Sequence, residues 1–539
     1  MLWTYSGNRR SDGTVRAPRA VARVWPFLAF AFVIAFTAGP ILLHKHLPLV
    51  DLPNHVARLH VAAAPEGGPL SAYYAYASAL VPNAAADLIW RALPLEVDAA
   101  RFAQLIMAVY AVNLVASAML LSRVLHGRWS AWPAAAGLVV FSGPFFWGFQ
   151  NFVWSLPFCL YGLALWLAME GERWRRWRLA VFVPLAAMLY LMHLFALVIL
   201  AVAVFGREAQ RALTEEGPLL RRGLRICVAM VPFALPIAWL AFTILTGPDG
   251  PGSSRTEFGR LALRLVAFGS PLAAPNTAAF PVLDLLALLG LALLALCLSR
   301  IFSAEGPRLR LDPRVKGPAI ALAVAAALAP SWINGVAMVH IRVPVLLVVL
   351  LLAGTAWQGL SARQVRLVAI AFATLIAARG LAFERFAAIY AGDIADMLVA
   401  TETLPAGARV LPLRAPGLQG DRRFYHIQGL LVAERDVFVP TLFQGTHELS
   451  VRPRWADHAE PVQSSLDLRW ILGEEAEAEP RRPVFTIDWE RKFTHALLLD
   501  PVDAALTSDP RLDPMAAAGR FTLFRVVAEP LARSATAGD

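Results

Sequence analysis

The sequence predicts a polytopic α-helical membrane protein with about eleven spans and a C-terminal α/β domain. Of its 539 residues, 58% are hydrophobic, and the mean hydropathy of +0.56 is too apolar for an ordinary soluble domain. Several apolar runs reach the roughly 20 residues that a helix needs to cross a bilayer. After residue 383 the chain becomes charged and proline-rich. A helix is predicted at 387–404, and short apolar segments predict strands at 410–413, 437–439, 495–499 and 521–527.

The net charge of +10 reflects membrane topology, and we predict no nucleic acid partner. Arginines gather in short polar segments such as 173–178 and 207–225, and this enrichment marks the cytoplasmic side. The tail 1–21 also carries arginines and is predicted to be cytoplasmic. The three cysteines lie in apolar runs, which excludes a disulfide framework or a zinc pattern. The arginine- and alanine-rich composition suits a bacterial inner membrane.

The spans fall within residues 22–383. The segment 179–205 is basic on both flanks yet too short for two full spans, so we predict two short helices that meet near residues 190–193. One long tilted helix is the alternative. The predicted spans are about 22–43, 102–121, 131–146, 152–169, the two halves of 179–205, 226–245, 281–298, 319–333, 343–357 and 367–381.

The first outer loop, 44–100, contains the sequence Asp-Leu-Pro-Asn-His-Val-Ala-Arg at residues 51–58. Asn54 is a candidate N-cap for a helix that begins at His55, which would place His55 and Arg58 on one face. The structural alternative is an interfacial turn with a helix cap and an arginine that reaches the headgroups. A short interfacial helix is predicted at 84–93.

Ionisable side chains at membrane depth are costly and are therefore functional candidates. Asp51 and His55 are the candidate catalytic residues, with Asp51 as a general base or a ligand to a hard cation. The forked donors of Arg342 suit a phosphate. By the predicted topology the candidates converge on the outer face. The candidate substrate contacts are Asn54, Arg58, Asp87, Gln150, Asn151, His193, Asp284, His340 and Arg342.

Several of these residues also have a structural interpretation. Asp87 and Asp284 each lie in the first turn of a predicted helix, where an acid favours the helix dipole. His193 suits a buried histidine that bonds a carbonyl freed by the helix break. Arg342 suits an arginine that reaches the headgroups. The sequence contains no P-loop, Rossmann fingerprint, HExxH or GxSxG motif, which argues against a nucleotide-driven pump.

The pattern resembles the GT-C superfamily of polytopic membrane glycosyltransferases, which includes protein O-mannosyltransferases and lipid A aminoarabinose transferases. The resemblance covers the architecture of the whole chain. It is carried by residues 51–55 and Asp87, with 150–152 and His193 as further support. It implies a polyprenyl-phosphate-linked sugar donor, Asp51 as the base or the contact for a divalent cation, and Arg342 at the lipid phosphate. Many members pair two acids, whereas Asp51 has no second acid nearby.

The sequence thus predicts sugar transfer to an unidentified acceptor at the outer face of the inner membrane, with membrane lipids as further partners. The segment 384–539 is predicted to form a periplasmic α/β domain. Two rival predictions stay open. One is a transporter or flippase for a lipid-linked or anionic substrate, and the other is a non-catalytic membrane assembly protein.

Overall fold

Long apolar helices dominate the structure, a computed structural model. It describes residues 19–77, 80–93, 96–174, 176–246, 255–273, 280–333, 336–415, 421–444, 449–460, 466–467, 471, 483–500 and 509–527. Most of the predicted tail 1–21 lies outside these residues. The helices are α1 Arg19–Leu43, α2 Leu52–Ala63, α3 Ala85–Ala92, α4 Ala99–His126, α5 Gly143–Phe146, α6 Gln150–Ala168, α7 Trp177–Met192, α8 Leu194–Thr214, α9 Leu219–Thr246, α10 Leu261–Val266, α11 Val282–Ser299, α12 Pro313–Leu328, α13 Val343–Gly354, α14 Ala362–Ala400, α15 Gly429–Arg435 and α16 Trp489–Lys492.

Two compact units are distinguished by their internal contacts. The first unit comprises Met1–His44, Leu80–Leu88 and Gln104–Phe386. The second unit comprises Lys45–Ala79, Ile89–Ala103 and Ala387–Asp539, so it combines most of the predicted first outer loop with the C-terminal part of the chain. The domain boundaries predicted from the sequence stay a prediction.

Six helices in the described ranges are long and apolar enough to cross a membrane. They are Val24–Leu43, Ala99–His126, Gln150–Ala168, Leu219–Leu245, Val282–Phe302 and Ala362–Ala400. Three further apolar stretches are shorter: Trp132–Phe146, Trp177–Met192 and Val339–Gly354. A multi-pass helical membrane protein is therefore confirmed, whereas the number of eleven spans stays a prediction.

The break predicted within residues 179–205 is present. Helix α7 ends at Met192 and α8 begins at Leu194, with His193 between them in an extended conformation (φ −171°, ψ 127°). Nδ1 of His193 accepts a hydrogen bond from the amide of Phe195 at 3.1 Å and so caps α8. The alternative of one long tilted helix is wrong.

Several predicted helices differ from the observed ones. The span predicted at 319–333 is shifted, because α12 runs Pro313–Leu328 and residues Trp332–Ile333 form a strand. Residues 131–146 form a 3₁₀ helix, Trp132–Val139, and then the short α5. Helix α13 ends at Gly354, and the chain continues as a strand. Residues 362–400 form one helix of 39 residues, where the sequence predicted one helix ending at 381 and another at 387–404. Gly380 within this helix leaves room for α1, because a Cβ at this position would meet the carbonyl oxygen of Phe36.

Helices α8 and α12 cross closely through a pair of glycines. A Cβ on Gly206 would lie 2.5 Å from the carbonyl oxygen of Gly317, and a Cβ on Gly317 would meet the carbonyl oxygen of Gly206. Small residues of this kind allow the backbones of two helices to approach closely. Since no hydrophobic effect drives helices together within lipid, close packing stabilises such contacts instead.

The Gly317→Ala variant is therefore expected to destabilise the protein by about 1–3 kcal/mol, because the added methyl group overpacks the crossing. The measurement is the Tm of the purified protein in detergent. Gly223→Ala in α9 is the control, since a Cβ there has no atom within 4 Å. An unchanged Tm for Gly317→Ala would contradict the close crossing.

The strands are β1 Tyr74–Tyr76, β2 Thr256–Glu257, β3 Arg308–Leu311, β4 Trp332–Ile333, β5 Val336–Ala337, β6 Thr355–Gln358, β7 Val410–Arg414, β8 Leu449–Val451, β9 Leu466–Asp467, β10 His495–Leu499, β11 Leu512–Ala518 and β12 Phe521–Val526. Five of them form a mixed sheet in the second unit with the order β11-β12-β10-β7-β9. Strand β10 pairs parallel to β7 and antiparallel to β12. The predicted strand 437–439 forms only an isolated bridge between Phe438 and Arg409.

Candidate functional site

In the second unit, Asp51 stands at the start of α2. Pro53 falls in the first helical turn, where its missing amide is not needed. The side chain of Asp51 makes no capping hydrogen bond to the helix, so its carboxylate is not used for capping. The prediction that Asn54 caps the helix is wrong. Asn54 lies inside α2, and its Oδ1 accepts the backbone amide of Phe443 at 3.2 Å.

His426 lies beside Asp51. Its Nε2 is 3.6 Å from Oδ1 of Asp51, slightly beyond hydrogen-bond distance. The ring is 3% exposed and packs edge-on against Phe443, and the segment before it is the 3₁₀ turn Arg422–Phe424. The sequence analysis missed His426, because no local pattern places it near a residue so distant in the sequence.

Two histidines near Asp51 are held in the neutral form. Burial lowers the pKa of His426 to about 3. Burial, the charge of Arg58 and the proximity of His426 together lower the pKa of His55 to about 3. Asp51 therefore faces a neutral imidazole at physiological pH. His55 and Arg58 both lie on α2, one turn apart, as their spacing predicted.

The lowered histidine pKa values predict acid destabilisation. Because the folded protein binds fewer protons than the unfolded chain, the contribution of these rings to stability is complete above about pH 6.5 and is lost towards pH 3. The His426→Asn variant should therefore show a smaller fall in Tm between pH 7 and pH 5 than the wild type. An equal fall in Tm in the wild type and the variant would contradict the conclusion that the ring of His426 is buried and neutral.

A matched control for this pH series lies in the same unit. Hydrogen bonds from Arg511 lower the pKa of Asp509 below its usual value. The contribution of Asp509 is thus lost only as the pH falls below about 4. Asp509→Asn should leave the fall between pH 7 and pH 5 unchanged, which separates the histidine effect from general acid sensitivity.

In the first unit, Arg342 is enclosed by aromatic rings. It follows the 3₁₀ turn Val339–Ile341 at the start of α13 and is 5% exposed. Its guanidinium carbon lies 4.1 Å from the ring centre of Phe149, 5.1 Å from that of Phe152 and 5.5 Å from that of Phe195. These cation–π contacts fix the position of a desolvated positive charge.

Arg342 and His193 meet within this aromatic enclosure. Nη1 of Arg342 is 3.3 Å from Nε2 of His193, and Nη2 donates to the carbonyl of Ala337 at 3.2 Å. Nδ1 of His193 accepts the Phe195 amide, so the proton of the neutral ring belongs on Nε2. A guanidinium has only donors, and two adjacent donors match an oxyanion.

The remaining predicted residues of the first unit are mostly buried. Asn151 donates from Nδ2 to the carbonyl of Asn83 at 3.2 Å, and its Oδ1 has no hydrogen-bond partner in the described part of the chain. The same holds for Oε1 of Gln150, whose side chain is 1% exposed. These two oxygens at the start of α6 are therefore buried acceptors with unused hydrogen-bonding capacity.

Asp87 is buried in the first turn of α3, and Asp284 occupies the first turn of α11, as the structural interpretation of each predicted. His340 is buried one turn before α13. Of the described contacts, none joins Asp284 or His340 to the pair of His193 and Arg342. The structure thus places His193 and Arg342 in direct contact, and a shared site with Asp284 and His340 stays a prediction.

Among the described residues no group of three or more His, Cys, Asp or Glu side chains could hold a metal ion. A divalent cation at Asp51 therefore stays a prediction. The phenylalanines at 149 and 195 were also missed by the sequence analysis. The aromatic run at 145–152 is visible in the sequence, but nothing local connects it with Arg342.

Comparison with known proteins shows a similarity to a solved structure. No protein-family model matches the chain, and no curated protein matches it significantly. In contrast, the crystal structure of ArnT from Cupriavidus metallidurans bound to undecaprenyl phosphate matches 94% of this chain and 99% of its own, with a TM-score of 0.51 and 14% identity. The chain therefore has a fold similar to that of ArnT, in agreement with the resemblance stated from the sequence. At 14% identity the similarity concerns the fold alone.

Proposed function

We propose that this chain is a membrane glycosyltransferase that uses a polyprenyl-phosphate-linked sugar donor. The observation that carries the proposal is the similarity of fold, along almost the entire length of both chains, to ArnT, whose structure contains undecaprenyl phosphate. The two side-chain clusters supply the chemical groups that such a reaction requires. The acceptor is not identified.

Arg342 and His193 are proposed to hold the phosphate of the donor. Their adjacent N–H donors suit a phosphate oxygen, and the surrounding phenylalanines exclude water from the guanidinium. In transfer, the bond between the anomeric carbon and a phosphate oxygen breaks, and the lipid phosphate leaves with the electron pair. Donors fixed in advance at the leaving group stabilise the negative charge as it develops.

Asp51 is proposed as the general base. The acceptor hydroxyl oxygen attacks the anomeric carbon, and the carboxylate of Asp51 takes the hydroxyl proton. Neutral His426, 3.6 Å away, is a positioning residue that presents its Nε2 to the carboxylate without neutralising it. His55, the second predicted catalytic residue, stays a candidate on the same helix. Contacts of the substrate with the other predicted residues also stay predictions.

The proposal includes a location. Arginine-rich short segments support a cytoplasmic N-terminus, and the chain would lie in a bacterial inner membrane with residues 384–539 on the periplasmic side. Undecaprenyl phosphate and similar lipids are embedded in the bilayer, so the donor would enter from the membrane.

The experiment is a transfer assay with purified protein in liposomes. A panel of labelled polyprenyl-phosphate sugars is supplied, and free polyprenyl phosphate and glycosylated products are measured together. Consumption of one donor with release of polyprenyl phosphate is expected. Movement of intact donor or of a small anion across the liposome membrane without consumption would instead support the transporter or flippase. The absence of both activities would favour an assembly protein.

A further inference from the structure

A second charged cavity lies in the first unit, formed by α7, the end of α8 and the start of α9. Its volume is about 790 Å³, large enough for a small ligand. None of its lining residues belongs to the clusters around Asp51 or Arg342. Six arginines line it: Arg176, Arg178, Arg211, Arg221, Arg222 and Arg225.

The acids of this cavity do not neutralise all of the arginines. Four glutamates line it, Glu170, Glu208, Glu215 and Glu216, so six positive and four negative charges leave a net charge of +2. Glu208 is fully buried and accepts a hydrogen bond from Trp166, and it lies 3.4 Å from Arg211. Glu215 pairs with Arg211 at 3.1 Å and also with Arg225.

Several cationic groups remain available to an anion. In the described part of the chain neither Arg176 nor Arg221 pairs with a carboxylate. The guanidinium of Arg222 donates to the carbonyls of Ala212 at 2.7 Å and Glu215 at 3.2 Å, while its Nε has no partner there. Nη2 of Arg225 is likewise buried without a hydrogen-bond partner among the described residues, whereas its Nε lies 3.8 Å from Oε2 of Glu208.

Helix α9 adds to this positive potential and supplies an apolar wall. Arg221, Arg222 and Arg225 lie in its first two turns, where the helix dipole favours an anion. Leu224 and Val228 line the same cavity, are exposed, and belong to the apolar helix Leu219–Leu245, whose side chains are mostly not buried. The cavity therefore combines a cationic end with the lipid-facing side of a membrane helix.

We propose that this cavity binds the phosphate headgroup of an anionic membrane lipid, with an acyl chain along the apolar face of α9. A soluble phosphate would match the arginines but would leave Leu224 and Val228 without a partner. A zwitterionic lipid would match the apolar wall but not the net charge of +2. The proposal does not depend on the transferase activity, because it rests on a different set of residues.

The test is a lipid titration of the purified full-length protein by native mass spectrometry in a neutral detergent. The ligands are phosphatidylglycerol, phosphatidylcholine and inorganic phosphate. The variant is the double substitution Arg176→Gln/Arg221→Gln, which lowers the cavity charge from +2 to 0 without removing a partner from any carboxylate. Both side chains are exposed, and the Tm of the variant without added lipid checks its folding. The control is Arg308→Gln/Arg310→Gln, which removes two exposed arginines of β3.

We expect the wild type and the control to bind phosphatidylglycerol about tenfold more tightly than phosphatidylcholine, and the cavity variant to lose most of this preference. Equal affinity of the wild type for the two lipids would overturn the proposal. An equal loss of preference for phosphatidylglycerol in the control and in the cavity variant would also overturn it, because this would indicate a general effect of surface charge. Displacement of phosphatidylglycerol by inorganic phosphate at equal concentration would also overturn it in favour of a soluble anion.

Discussion

The Asp51→Asn variant is expected to lose transfer activity by a factor of about 10² to 10⁴, the usual contribution of a positioned general base. An amide has nearly the same shape as a carboxylate but cannot take the acceptor proton. Because the Asp51 side chain makes no capping bond to α2, the substitution should leave the helix intact. The measurement is the initial rate of labelled sugar transfer at saturating donor, which reports kcat.

The matched control is Asp513→Asn, an exposed aspartate on β11 of the same unit. It should keep the wild-type rate, and both variants should keep the wild-type Tm. A fall in kcat with little change in KM is the expected signature of a lost base. Full activity of Asp51→Asn in a folded protein would remove Asp51 from the catalytic role. Loss of activity together with a lower Tm would assign it a structural role.

We expect polyprenyl phosphate to copurify with the wild type and to be lost from the Arg342→Ala variant. A hydrogen bond to a charged group contributes about 1.5–3 kcal/mol, which corresponds to a loss of affinity of roughly 10- to 100-fold. The measurement is mass spectrometry of lipids extracted from protein purified in mild detergent. Removal of the guanidinium also leaves Nε2 of His193 without its neighbour at 3.3 Å, so the remaining donor binds an oxyanion less well.

Two further variants test which property of Arg342 is needed to retain the lipid. Arg342→Lys keeps the charge but lacks the planar fork and stacks less well on the rings of Phe149 and Phe152, so partial retention is expected. Arg260→Ala, an exposed arginine at the start of α10, should retain the lipid fully. Polyprenyl phosphate retained equally by Arg342→Ala and the wild type would contradict the assignment. If every sample contained only ordinary phospholipids, the transporter and the assembly protein would be as well supported as the enzyme.

The sequence by itself determined the features that depend on local pattern. The long apolar runs predicted a multi-pass helical protein, because the bilayer requires satisfied backbone hydrogen bonds and a minimum helix length. The basic flanks of 179–205 predicted the break that the structure places at His193. The spacing of His55 and Arg58 predicted a shared helix, and short apolar segments predicted β7, β10 and β12.

Tertiary structure alone decided which side chains lie together. Asparagine is a preferred N-cap residue, yet Asn54 lies inside α2, and its Oδ1 accepts a hydrogen bond from the distant backbone amide of Phe443. Here a tertiary hydrogen bond outweighs the local capping preference. His426 lies beside Asp51, and phenylalanines surround Arg342. In both cases the residues in contact are far apart in the sequence. No periodicity or spacing encodes such contacts. They arise only when the apolar faces of separate elements pack against each other, and this packing defines the chemistry of the candidate site.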